Sequence, residues 1–202
     1  MNDNFNPNNH ISIAKQVIEK EAESLNILSQ NIPKNFEILV EDILKHSKIG
    51  GKLIISGIGK SGNIAQKISA SLVSTGTKSI FLHPSEASHG DLGIIDSKDI
   101  VIMLSNSGET KELFDIVSFC LKNKIKMALM TMNPESKIAQ NCNYILNIPI
   151  VEEASDIKAP TSSSTMMIAL GDALVVALHK YKGFTSKHFK EFHPGGKLGQ
   201  IL

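Results

Sequence analysis

A three-layer α/β/α sandwich around a five-stranded parallel sheet is the fold this sequence predicts, and three observations predict it. Five short apolar runs recur near residues 53–56, 79–82, 99–104, 126–131 and 144–148, with helical stretches between most of them. The runs are continuously apolar rather than alternating, as strands covered on both faces require. Two of them end alike, in a small-residue loop that opens a helix: Leu53-Ile54-Ile55-Ser56-Gly57-Ile58-Gly59-Lys60-Ser61-Gly62 and Val101-Ile102-Met103-Leu104-Ser105-Asn106-Ser107-Gly108-Glu109-Thr110. Right-handed crossovers then cover the sheet with helices and leave ligands to the carboxyl ends of the strands.

The elements follow in order. Residues 1–10 are polar and Asn-rich, a loose arm without the apolar core of a leader peptide. Ile11, Ala14, Ile18, Ala22, Leu25 and Leu28 recur at helical spacing up to about Gln30. Pro33 breaks the chain, and Phe36, Leu39, Val40, Ile43 and Leu44 mark a second amphipathic helix ended by Gly50-Gly51. Residues 1–34 are therefore expected to form an arm and helix, and residues 35–202 the main domain. Beyond the fifth run, residues 162–182 are helical and strongly apolar. They are too interrupted for a membrane span and read as a core helix, or one buried between subunits.

At 202 residues and 42% hydrophobic, the chain can bury one proper core. Its 21 basic and 20 acidic residues leave a formal charge of +1, which argues against a dedicated nucleic-acid or membrane-surface protein. Every basic residue is a lysine. A phosphate must then be held by backbone N–H groups, Ser and Thr hydroxyls and Lys, because no guanidinium fork exists. Cys120 and Cys142 lack CxxC or metal-type spacing and read as small buried residues of a reducing, cytoplasmic compartment.

The two loops carry the first chemistry. Glycine lets the backbone bend where a Cβ would clash, leaving hydroxyls and free helix N–H groups facing outward, which suits an anion such as phosphate. The first loop is no dinucleotide fingerprint: bulky Lys60-Ser61 stand where a pyrophosphate needs close backbone approach, and GxxxxGK[ST] is absent too. Glu112 follows the second loop by one helical turn, where a carboxylate also favours the helix dipole. Glu152 and Glu153 follow Ile148-Pro149-Ile150-Val151, read as the end of the fifth strand, where a carboxylate is placed to move a proton. His83 and His89 bracket one Gly/Pro-rich loop and His193 opens another, whereas His10, His46, His179 and His188 read as structural. No HxH or HxxxH spacing supports a metal site.

Six motifs in order, SGIGKSG, HPSEASHGDLG, SNSGETKEL, APTSSS, GDAL and HPGGKLG, resemble the sugar isomerase (SIS) domain of D-arabinose-5-phosphate isomerases over roughly residues 35–202. The resemblance implies a flavodoxin-like strand order and a tetramer with active sites shared between subunits. It implies interconversion of D-ribulose 5-phosphate and D-arabinose 5-phosphate through a cis-enediol, the first step towards Kdo, without metal or organic cofactor. By position it implies catalytic roles for Lys60, His89, Glu112, His193 and one of Glu152 and Glu153; Glu153 precedes Ala as the family residue does. Gly59, Ser61, Ser105, Asn106, Ser107, Thr110, Thr161 and Ser162 are the expected substrate and phosphate contacts. Two departures stand out: the tandem CBS half of most members does not follow Leu202, and the stretch from Glu153 to Ser163 is one residue shorter than usual and lacks a Cys-Pro. Another sugar-phosphate isomerase, for a hexulose or heptose phosphate, and a non-catalytic sugar-phosphate sensor are the competing readings. The sensor is disfavoured because the two leading helices lack a basic recognition face.

Overall fold

The structure, a computed structural model, describes residues 9–195. Two helices lead, α1 (Asn9–Gln30) and α2 (Asn35–Lys48). The sheet strands are β1 (Leu53–Ser56), β2 (Ser79–Leu82), β3 (Ile100–Leu104), β4 (Lys126–Thr131) and β5 (Tyr144–Asn147). All neighbours pair in parallel in the order β2-β1-β3-β4-β5, the flavodoxin-like order. Connections are α3 (Gly59–Ser74), the short α4 (Pro84–Ala87) and α5 (Phe114–Asn123), after which α6 (Ser162–Tyr181) and α7 (Ser186–Phe192) complete the chain.

The continuous apolar runs mark strands covered on both faces in the three central strands. The edge strands β2 and β5 are only partly buried, with Ile80 and Asn147 exposed. Every residue of β1 and β3 is buried, and their side chains alternate between two cores. Leu53, Ile55, Ile100, Ile102 and Leu104 face one core with α2, α3 and α6, while Ile54, Val101 and Met103 face a second with α5. Leu28 brings α1 into the first core, and α1 packs along α6. Helix α6 is long and apolar enough, by length and composition, to cross a membrane, with a mean hydropathy of 1.3. Half of that stretch is buried against α1, α2 and α3, as expected of a core helix.

Four details differ from the sequence expectation. The fifth strand ends at Asn147, so the Ile148–Val151 run is loop, and Ile150 is exposed. The Ile148 N–H still donates to the Thr131 carbonyl of β4 at 2.8 Å, and the chain leaves the sheet from Pro149 on. Glu112 lies in a single 3₁₀ turn, Lys111–Leu113, ahead of α5 rather than within the helix. Cys120 is buried, but Cys142 is only half-buried, at the turn before β5. Helix α1 also begins at Asn9, while the rest of the expected arm lies outside the described residues.

Polar ties concentrate at the amino edge of the sheet. Asp99, 2% exposed as a side chain, accepts from the backbone N–H of Lys52 at 2.9 Å and of Asp96 at 2.8 Å. Asp42 of α2 accepts from the Lys126 ammonium and the Tyr144 hydroxyl, which start β4 and β5. Satisfied buried polar groups of this kind rigidify one edge. The loops at the carboxyl edge carry the site.

Candidate active site

β1 and β3 are adjacent, and the connections leave them in opposite directions, towards β2 on one side and β4–β5 on the other. The carboxyl ends of such a pair border a crevice in a doubly wound sheet. Both small-residue loops sit there.

In the first loop Gly57 and Gly62 pack backbone to backbone. A Cβ on Gly57 would lie 2.9 Å from the Ser61 carbonyl oxygen, and one on Gly62 2.8 Å from that of Gly57. The first turn of α3 can therefore fold against the strand end only with glycine at both places. Ile58, at the helix N-cap, gives no side-chain cap, so the early N–H groups of α3 carry the positive end of its dipole without one. Lys60 is exposed and Ser61 half-buried at this turn. Gly59, Lys60 and Gly62 line a cavity of about 490 Å³ with Asn63, Gln66 and His83. His83 Nδ1 accepts from the Ser85 N–H at 3.3 Å, capping α4.

The second loop is braced from within and from β4. Ser105 is 2% exposed; its Oγ accepts from the Gly108 N–H at 3.0 Å and shares a 2.7 Å hydrogen bond with Thr110 Oγ1. Thr131 Oγ1 donates to the Asn106 carbonyl at 3.1 Å, and Asn133 Nδ2 donates to that of Ser107 at 3.2 Å. The Ser105 hydroxyl is thus spent on the shape of the loop. Asn106 and Ser107 remain exposed at its tip, with Ser107 Oγ accepting from the Glu109 N–H at 3.2 Å. The turn bearing Glu112 packs on α4, and Ser88 Oγ ties the end of α4 to Asp115 Oδ2 at 2.6 Å. His89 and Glu112 are therefore exposed on adjoining turns.

Glu152 and Glu153 part company. Glu152 is exposed and pairs with Lys20 of α1 at 2.7 Å, a hydrogen bond that lowers the carboxyl pKa. Glu153 is half-buried beside the start of α6. Its Oε2 accepts from the Thr161 N–H at 2.7 Å, Thr161 Oγ1 at 3.0 Å and the Ser163 N–H at 3.2 Å, and its Oε1 accepts from Ser163 Oγ. Burial pushes the Glu153 carboxyl up, but these donors outweigh it and hold the pKa below the ordinary 4.5. Next to them, Ser162 is fully buried with no hydrogen-bond partner for its Oγ among the described residues. Asn106 and Glu153 line one cavity of about 790 Å³, together with Lys20, Met132, Asn133 and Lys158.

His193 stands apart. It follows α7, stacks on Phe189 at 3.8 Å between centroids, and its Nδ1 lies 2.8 Å from the Phe189 carbonyl oxygen. Phe184, just ahead of α7, packs on Gly76 in the turn that leads into β2. That is the amino edge of the sheet, opposite both loops. Within one chain, then, Asn106 and Glu153 share a cavity, Gly59 and Lys60 share another, Glu112 sits on the Lys111–Leu113 turn packed against α4 and His89 just past α4, and His193 joins none of them. Gly196-Lys197-Leu198-Gly199, the rest of the HPGGKLG motif, lies outside the described residues.

Sequence reading passed over Ser163, which holds Glu153, and Thr131 and Asn133, which brace the second loop. A Ser two residues past the N-cap of a long helix marks only a helix start; the carboxylate it meets comes from ten residues earlier. His46 and His188 are structural as read: His46 Nδ1 lies 2.8 Å from the Lys98 carbonyl oxygen, and His188 completes a capping box with Thr185. Among the described residues no three His, Cys, Asp or Glu side chains converge as a metal site requires.

A doubly wound parallel sheet with two glycine-turned, anion-suited loops at its switch point defines the class, an α/β domain with its site at the strand ends. The SIS domain model matches residues 47–177, and the chain belongs to that family. The chain is 51% identical to an uncharacterised protein of Rickettsia prowazekii over 98% of its own length and 61% of the relative. It is 42% identical to the arabinose 5-phosphate isomerase KdsD of Francisella tularensis over 96% of its length and 59% of that protein. The chain thus spans about three fifths of the length of these relatives. Among solved structures, c3406 of E. coli CFT073 in complex with arabinose 5-phosphate superposes with a TM-score of 0.89 at 34% identity, covering 94% of this chain and 100% of that one.

Proposed function

We propose that the chain is an aldose–ketose isomerase that interconverts D-ribulose 5-phosphate and D-arabinose 5-phosphate. The observation that carries this reading is the shared cavity of Asn106 and Glu153, which sets the tip of an anion-ready loop and a half-buried carboxylate on one wall. The identity to named arabinose 5-phosphate isomerases supports the choice of substrate. Isomerisation moves a proton between carbons 1 and 2 through a cis-enediol, and needs one base at carbon and an acid/base at the oxygens. A phosphate held by backbone N–H groups and hydroxyls supplies positioning, which can contribute several kcal/mol towards the barrier.

In this reading Glu153 is the carbon base and His193 the acid/base at oxygen. His193 lies at the far edge of its own sheet, so it serves the site of a neighbouring copy, in a homotetramer with shared active sites. Lys60 stabilises the developing oxyanion or binds phosphate, and Glu112 and His89 orient substrate hydroxyls. Gly59, Ser61, Ser107 and Thr110 complete the substrate surface, with the buried Ser105 and Ser162 acting from beneath it through the loop and the start of α6. Protein donors suffice for an enediol, so the reaction takes neither metal nor organic cofactor. Residues 35–202 form the isomerase domain, cytoplasmic, whose product enters Kdo synthesis for lipopolysaccharide or capsule.

The test is direct. The protein incubated with ribulose 5-phosphate should yield arabinose 5-phosphate; turnover of a hexulose or heptose phosphate instead would assign another isomerase, and binding without turnover a sensor. Glu153→Gln should bind substrate yet lose solvent-deuterium exchange at carbon 2, with Glu152→Gln retaining it. Exchange that survives in Glu153→Gln ends the assignment of the base.

A further inference from the structure

We propose that Thr161 and Ser163, at the start of α6, position Glu153, and that Glu153 Oε1 is the oxygen that carries the transferred proton. The proposal rests on the reading of Glu153 as the carbon base and says which atom acts and what aims it.

The donor count separates the two oxygens. An ionised carboxylate offers about four acceptor directions, two per oxygen. Oε2 already accepts from the Thr161 N–H, Thr161 Oγ1 and the Ser163 N–H, so it is saturated. Oε1 accepts from Ser163 Oγ alone and keeps one direction open. The Thr161 hydroxyl has its polarity set as well, because Oγ1 accepts from the Ala154 N–H at 2.8 Å and so donates to Glu153. Ser163 is 3% exposed and its hydroxyl has Glu153 as its partner.

The loop that bears Glu153 has no regular structure of its own between β5 and α6. Its aim therefore comes from the helix. Met166, Met167, Leu170, Leu174 and Leu178 anchor α6 in the first core, so its first turn is a rigid platform with N–H groups facing an anion. The step follows from this arrangement. Oε1 takes a proton from carbon as the C–H bond breaks, the freed pair becomes the carbon 1–carbon 2 double bond of the enediol, and the carbonyl oxygen is protonated by the acid/base. Oε1 then returns the proton to the other carbon as the double-bond pair forms the new C–H bond. The hydroxyl on the first carbon gives its proton to the acid/base, its O–H pair closes the new carbonyl, and both groups are restored.

Charged neighbours are few. Lys20 of α1 is paired to Glu152, Glu21 of α1 accepts from Thr165 of α6, and Asp156 and Lys158 lie on the loop of Glu153 itself. The hydrogen bonds, with Ser163 the strongest of them, hold the carboxyl down against burial. With a folded value below the ordinary 4.5, the base stays ionised through neutral pH and is lost only as pH falls through that folded value.

The experiment compares wild type, Ser163→Ala, Ser163→Thr and Thr161→Val. One arm is the pH profile of kcat/KM with ribulose 5-phosphate; the other is an infrared titration of the Glu153 carboxyl, read as the difference between each protein and its Glu153→Gln counterpart. In wild type the carboxyl should titrate below the ordinary glutamate value. Ser163→Ala should move both that titration and the acid limb upward by roughly half a unit or more, and lower kcat about tenfold with KM within about twofold. Ser163→Thr should restore both, and Thr161→Val should shift them in the same direction as Ser163→Ala. An unmoved titration in Ser163→Ala, or a wild-type carboxyl titrating at the ordinary value, overturns the proposal. So does a loss of kcat at every pH with an unmoved acid limb, which marks a purely structural cap. If wild type fails to isomerise ribulose 5-phosphate, the isomerase reading fails, while the titration still decides whether α6 holds Glu153.

Discussion

Gly108→Ala tests how rigidly the second loop must be built. Gly108 has φ +65°, and a Cβ there would run into the Cβ and Oγ of Ser136. Adopting that φ costs an alanine about 1–2 kcal/mol. Ser136 is 1% exposed and its Oγ accepts from the Ala139 N–H at 3.3 Å, so it cannot swing out to make room. Overpacking against it adds about 1–3 kcal/mol. The sum, roughly 2–5 kcal/mol, is a large part of the ~5–15 kcal/mol that holds a domain folded. At ~2–4 °C per kcal/mol for a chain of this size, Tm should fall by roughly 4–20 °C. Two glycines isolate the terms. Gly59 also has a positive φ, +60°, but open space around its Cβ position, so Gly59→Ala should lose only the backbone part. Gly93 has neither feature, and Gly93→Ala should equal or slightly exceed wild type. Calorimetric melting of the three variants should rank them in that order, with KM rising most in Gly108→Ala. If Gly108→Ala melts together with Gly93→Ala, the account of the loop is wrong.

Asp42→Asn should cost about 1–3 kcal/mol at neutral pH, because it weakens the charged hydrogen bonds to Lys126 and Tyr144 at a side chain only 13% exposed. Burial pushes the Asp42 carboxyl up, but the Lys126 and Tyr144 bonds outweigh it and hold it below the ordinary 3.8. The contribution is fully present above the unfolded value and is lost as pH falls through the folded one, so urea unfolding of variant and wild type should converge in acid. Ser105→Ala removes the hydroxyl that links the Gly108 N–H to Thr110, and at about 1 kcal/mol it should raise KM roughly fivefold with a smaller change in kcat. Burial pushes the Cys120 and Cys142 thiols up to about 12. Iodoacetamide at mildly alkaline pH should therefore leave the folded protein unlabelled and modify both once it is unfolded, as read by mass spectrometry.

The central strands were legible because burial on both faces leaves an unbroken apolar run, a local signature; β2 and β5 are apolar runs too, but lie half-covered at the sheet edges. The apolar run goes on past Asn147, where the strand ends, because hydrophobicity marks which residues are apolar and not where backbone pairing stops. The loops were legible as glycine-rich strand ends. The division of labour inside them was not: Ser105 and Ser107 read alike in sequence, yet Ser105 is buried as a brace and Ser107 is exposed at the tip.

By itself the sequence determined the layers, the parallel sheet and the type of anion grip, since a chain without arginine can hold phosphate only through N–H groups, hydroxyls and lysine. Tertiary structure alone decided which groups meet. It turned Glu152 outward to Lys20 and drew Glu153 onto the start of α6, although the two carboxylates are adjacent and chemically identical. It also put His193 at the amino edge, away from both loops. The physical reason is one of range: burial pattern and turn chemistry are written in neighbouring residues, whereas a hydrogen-bond partner is whatever donor the packing of distant helices brings within about 3 Å.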